Sequence, residues 1–276
     1  AAAALNNNQM DIRLNLMKRD TSNNNPVKRH LSSVDKKHKI DLLRQGYEAA
    51  KAYDSVISQV AVNYLEDEQK VLIANSDGLL VNDSRIRTRY AIQSVASKDG
   101  EMQVGYYAPG ASMGFEFYDT IDVKEVGREA SRIAVTSVHA DHCPSGVMPV
   151  IIDNEFGGVL FHEACGHALE AEFVSKGTSA FANKLGKLVA SPLVTAIDDG
   201  TLKNGWGTTN VDDEGTPNQR NILLENGVLK SYLIDKLNGR RMNMKSTGSS
   251  RRQSYKFAPT SRMNNTFIDS GDSTLE

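Results

Sequence analysis

The stretch His162-Glu163-Ala164-Cys165-Gly166-His167 constrains this chain more than any other feature. It sets two imidazoles and a carboxylate close together inside an apolar segment, a donor set suited to a hydrolytic metal site. In the common zinc-protease pattern the two histidines stand four apart on one helical face, and the glutamate takes a proton from metal-bound water. Here they stand five apart. At about 100° per residue, five positions of a regular α-helix turn the two rings roughly 140° away from each other. Sharing one metal therefore requires a distorted helix. A single i to i+5 turn brings both rings to one side, and Gly166 is the residue best able to absorb that departure.

The flanks strengthen the reading. From Phe156 to Glu170 the segment is too apolar to be a solvated helix face, and buried histidines need polar partners. Cys165 offers a further ligand atom, although a lone cysteine in such a run commonly packs as a small buried residue. Glu170 either orients an imidazole from behind or faces water. We place one helix over 154–174, with Asp153-Asn154 as its N-cap region.

Several ordered motifs accompany this one: Gly157 to Glu170, Ala190-Ser-Pro-Leu-Val194, Asp198-Asp-Gly-Thr201, Asp212 to Pro217, and Gly248 to Tyr255. Together they resemble the TldD/PmbA family, and most closely the TldD branch that carries the metal motif. The similarity extends from about Ser58 to the last residue. The resemblance implies a zinc metallopeptidase acting on unfolded or extended peptides in the cytoplasm. It also implies a homo- or hetero-dimer with a PmbA-like (TldE) subunit. His162 and His167 would ligate zinc, and Glu163 would act as the catalytic base. Family members are also labelled modulators of DNA gyrase, so the rival expectation is a non-enzymatic regulatory subunit. In the family the third ligand is a cysteine that would lie beyond Glu276. The chain, which opens on Ala1 to Ala4, is therefore expected to be a fragment that is inactive by itself.

Composition narrows the remaining classes. The 276 residues are 39% hydrophobic and 24% charged, enough for one large domain or two ordinary ones with real cores. A net charge of -2 and a pI near 6.4 give no global attraction to nucleic acid or membrane. No apolar run approaches the roughly 20 residues of a membrane-spanning helix. The two cysteines, Cys143 and Cys165, make no disulfide framework and favour a reducing cytoplasm.

Along the chain, 1–35 reads as a poorly ordered opening, with an alanine run and two asparagine clusters. A helix is expected over 36–54, then a meander of strands at 56–64, 70–75, 79–83, 85–97 and 102–107, with turns at Ser76-Asp-Gly78 and Lys98-Asp-Gly100. A helix over 123–138 packs on that sheet. His139-Ala-Asp-His-Cys143 holds possible ligands, but one short loop rarely closes a site, and exposed loop is the default. Strands are expected at 148–152 and 193–197, a hairpin over 221–234, and a helix over 235–244. The turn-rich span 198–217 contains the only tryptophan, Trp206, and we expect it to flank a peptide groove. The basic residues Arg240, Arg241, Lys245, Arg251, Arg252, Lys256 and Arg262 hint at anion binding, yet no nucleic-acid module accompanies them. The expected fold is α+β: an opening segment at 1–35, a helix-and-meander domain at 36–146, and a mixed domain at 147–276 carrying the motif helix.

Overall fold

The computed structural model describes residues 15–272. The part of the opening segment at 1–14 lies outside the described residues. Its described part is tied to the rest: β1 (Met17–Lys18) pairs in parallel with Leu79 and Leu80, and the Asn24 side chain donates to the Thr209 carbonyl at 3.0 Å.

The fold is α+β, with two larger sheets, a two-stranded ribbon and five α-helices among the described residues. The first sheet is organised around β3 (Leu79–Lys98), which pairs antiparallel with β2 (Ile57–Ala74) along nearly its whole length. β4 (Glu101–Tyr107) and β5 (Gly110–Ala111) attach to the later part of β3. The expected short strands at 56–64 and 70–75 are thus one strand, and so are those at 79–83 and 85–97. The polar run Glu66 to Lys70 interrupts the apolar alternation but not the ladder, because Glu66 still pairs with Thr88 and Lys70 with Ser84. Backbone hydrogen bonding needs no apolar side chain.

Two helices cover one face of this sheet, α1 (Lys36–Lys51), capped by Asp35, and α2 (Val123–His139), capped by Asp122. The core between them holds Tyr90, Ile92, Phe115, Val126 and Ala130, and the Tyr90 hydroxyl is satisfied by the Leu42 carbonyl at 2.8 Å. Residues 140–153 form neither helix nor strand. The expected strand at 148–152 is therefore absent, and its apolar residues Val150 and Ile151 face outward, having found no neighbouring strand.

The second sheet runs β11-β6-β7-β8. Its members are β6 (Ala196–Asp199), β7 (Arg220–Glu225), β8 (Val228–Leu229) and β11 (Thr266–Ile268), all paired antiparallel. The β7–β8 turn uses Asn226 and Gly227, both at positive φ (49° and 76°), as a tight two-residue hairpin requires. α5 (Lys236–Met242) follows, capped by Asp235, and a short ribbon pairs β9 (Ser250–Arg251) with β10 (Thr260–Ser261). Leu169, Leu223, Leu229, Leu233 and Met263 form a second core against which the histidine motif is seated. No helix among the described residues is long and apolar enough to cross a membrane.

Candidate metal centre

The motif segment is four pieces, not the single helix expected over 154–174. α3 (Asn154–Phe161) runs into a π turn over His162–Gly166, then a 3-10 turn over His167–Leu169, and α4 (Ala171–Ser175) follows. Asp153 takes the N-cap position without a side-chain hydrogen bond. The break falls at Glu170, whose backbone is extended (φ −70°, ψ 127°). There Leu233 captures the chain: its carbonyl accepts from Ala171 N at 2.8 Å, and its N–H donates to the Leu169 carbonyl at 3.0 Å.

The π turn solves the spacing problem. The His167 N–H donates to the His162 carbonyl, an i to i+5 bond, and the two rings meet edge to face with centroids 4.7 Å apart. Gly166 is essential for a reason other than the one expected. Its backbone is ordinary helix (φ −55°, ψ −52°), but a Cβ there would lie 2.2 Å from Met263 Sδ. The glycine admits a core methionine beneath the motif and is not the source of the distortion.

Donor atoms of His162, Glu163 and His167 all lie within 4.8 Å of one another, the one such group of three or more found among the described residues. Two imidazoles brought this close suit a zinc-like ion, and they leave the carboxylate beside them free to serve as a base. His139, His142 and Cys143 form no such group. Cys165 packs against the second core, and burial pushes its thiol pKa up.

Glu170 is fully buried. One of its oxygens accepts from His167 Nδ1 at 3.1 Å and the other from Arg262 Nη1 at 2.7 Å. That fixes the ring and leaves Nε2 directed at the motif, 3.8 Å from Glu163 Oε2. Burial raises the Glu170 pKa, while Arg262 and His167 pull against that rise. Partial burial, reinforced by the neighbouring His167, lowers the His162 pKa and favours the neutral imidazole a metal needs. Glu163 projects outward, with 68% of its side chain exposed.

The basic residues of 240–262 do not form one cluster. Arg240 and Lys245 line an open cavity of about 790 Å³ with Ser76 and Asp77. Arg252 hydrogen-bonds Asp213, whereas Arg262 serves Glu170. Sequence reasoning missed Arg87 and Arg89, which alternate with Arg85 along β3. The i, i+2, i+4 spacing was the available signal that all three share one face.

Comparison with known proteins gives a consistent picture. The models of the PmbA/TldA metallopeptidase central domain and C-terminal domain match residues 29–138 and 145–276. A metalloprotease TldD homolog of Buchnera aphidicola from Acyrthosiphon pisum is 42% identical over 253 residues, which is 89% of this chain and 52% of that protein. The Haemophilus influenzae TldD homolog is 37% identical, across 91% of this chain and 54% of its own. The chain thus spans about half the length of the curated relatives it matches. Among solved structures, a candidate modulator of a DNA gyrase from Thermotoga maritima superposes with a TM-score of 0.81 at 24% identity, covering 99% of this chain and 61% of that one. TldE from Thermococcus kodakarensis gives 0.71 at 21%, with the same coverage. At those identities the structural likeness speaks for the fold alone.

Proposed function

The chain belongs to the PmbA/TldD metallopeptidase family, and from that premise we propose that the whole protein is a zinc-dependent peptidase acting on unfolded or extended peptides. The observation that carries this reading is the π turn that gathers the donor atoms of His162, Glu163 and His167 within 4.8 Å. His162 and His167 would hold the metal. Two imidazoles alone bind zinc weakly, because catalytic sites ordinarily use three protein ligands, so a further protein ligand is expected in the loaded site. When bound, zinc supplies Lewis acidity, polarising a carbonyl and lowering the pKa of a water to about 7.

This chain's own residues do the rest. Glu170, locked between Arg262 and His167, holds the His167 ring so that Nε2 keeps its lone pair toward the motif. The Glu163 carboxylate, exposed beside that ring, takes a proton from the attacking water and delivers it to the leaving amine nitrogen. We assign the protein to the cytoplasm, on the strength of two free cysteines, one of them exposed. We assign it a homo- or heterodimeric partnership with a PmbA/TldE-like subunit, on family membership. The division at 1–35, 36–146 and 147–276 remains our proposal, supported by the two larger cores, one centred in each of the last two parts, although a smaller cluster of Leu79, Val81 and Val211 joins them.

The test is turnover of an extended peptide by the whole protein, with and without a chelator, beside Glu163→Gln. General acid-base loss should lower turnover by about 10²- to 10⁴-fold and leave bound zinc unchanged. Zinc lost together with activity would make Glu163 a structural residue. A metal-free, inactive wild type that still binds a macromolecular partner would favour a regulatory subunit instead.

A further inference from the structure

Arg85, Arg87 and Arg89 occupy alternate positions on β3 and so share one face of the sheet. Arg85 is fully engaged: it contacts Asp83 at 3.1 Å, Asp213 at 2.8 Å and the Val211 carbonyl at 2.9 Å. Its two neighbours are not. Among the described residues neither Arg87 nor Arg89 forms an ion pair, and the Nε of each is buried without a hydrogen-bond partner. Both guanidinium groups lie over the ring of Trp206, at 5.7 Å and 4.1 Å from its centroid. The Trp206 loop is held there by Ser112, whose N–H donates to the Asn204 carbonyl at 3.1 Å.

A third unpaired arginine connects this patch to the histidines. Arg251 makes no ion pair among the described residues, and its Nη1 donates to the Met263 carbonyl at 3.1 Å. Met263 is the residue seated under Gly166 of the motif. Asp213 ties the Arg251 segment to β3, accepting from Arg85 Nη1 at 2.8 Å and from the Arg252 N–H at 2.8 Å. Asp67 stands opposite Arg87 on β2, yet among the described residues no carboxylate comes within ion-pair distance of Arg87, Arg89 or Arg251, so their guanidinium forks are left to pair with an anion.

We infer that Arg87, Arg89 and Arg251 form a carboxylate-recognition subsite beside His162, Glu163 and His167, which selects peptides carrying a negative charge near the scissile bond. The inference rests on the peptidase reading. The carboxylate belongs either to the peptide's C-terminus or to an Asp or Glu side chain; both offer two oxygens matched to a guanidinium fork.

The experiment uses the whole protein and two peptide pairs, one differing only by a C-terminal acid or amide and one only by Glu or Gln. The expected result is a kcat/KM preference of about tenfold or more for the charged member of one pair, and which pair shows it identifies the source. That preference should fall to about one in the Arg89→Gln/Arg251→Gln double variant. Arg89→Lys, which keeps the charge but loses the fork, should retain part of it. Equal kcat/KM within both pairs, or an unchanged preference in the double variant, overturns the inference. Trp206 fluorescence supplies an activity-independent readout: Glu163→Gln protein should respond to the charged peptide and not the neutral one, with Trp206→Phe as the blank. If the wild type cleaves neither pair, the peptidase reading fails, and this titration still decides the subsite. A Trp206 response to an oligonucleotide but to no peptide overturns it in favour of a phosphate partner.

Discussion

Glu170 links the motif to the fold at the scale of a single residue. A buried carboxylate is tolerated only when paired and hydrogen-bonded, and this one has His167 at 3.1 Å and Arg262 at 2.7 Å. Partners behind a ligating histidine commonly govern metal affinity by about 10- to 100-fold. Glu170→Gln keeps the volume, removes the charge and places amide hydrogens where donors already point. Zinc affinity of the whole protein, read by competition with a chromophoric chelator, should therefore fall by about 10- to 100-fold. Unchanged affinity would show that His167 is oriented by packing alone. The sequence left Glu170 open between orienting an imidazole and facing water, because the choice depends on Arg262, 92 residues away.

At the scale of elements, the π turn follows from arithmetic on the histidine spacing and was legible for that reason. The end of the motif helix was not, since Glu170 is pulled into an extended conformation by Leu233 in a remote segment. Gly166 shows a related limit: the sequence reads it as the residue that absorbs the turn, and only the structure shows that it makes room for Met263. Gly166→Ala would put a Cβ 2.2 Å from Met263 Sδ. Met263 is itself 3% exposed in the second core and has little room to move. Overpacking of this kind costs about 1–3 kcal/mol, measurable by urea denaturation, and Met263→Ala should recover part of it. A fully stable Gly166→Ala protein would mean that the motif is not seated on Met263. The merged strands β2 and β3 make the converse point, for the polar run at 66–70 hid a continuous ladder from a reading based on apolar alternation.

At the scale of the whole molecule, the first sheet meets the second half of the chain where Arg85 of β3 reaches Asp213 and Val211 of the long span between β6 and β7, and Val211 packs with Leu79 and Val81. The α+β class was legible because the helical stripes and turn signals are local. The arginine face of β3 was not, because its meaning depends on Trp206 arriving from the long loop of the second half. We propose that one π turn commits His162 and His167 to the same metal ion. The most direct test is zinc content of the whole protein after loading and desalting, for the wild type, His162→Ala and His167→Ala. One zinc per chain is expected in the wild type, and loss of it in either variant. Zinc retained in both variants, or none held by the wild type, would contradict it.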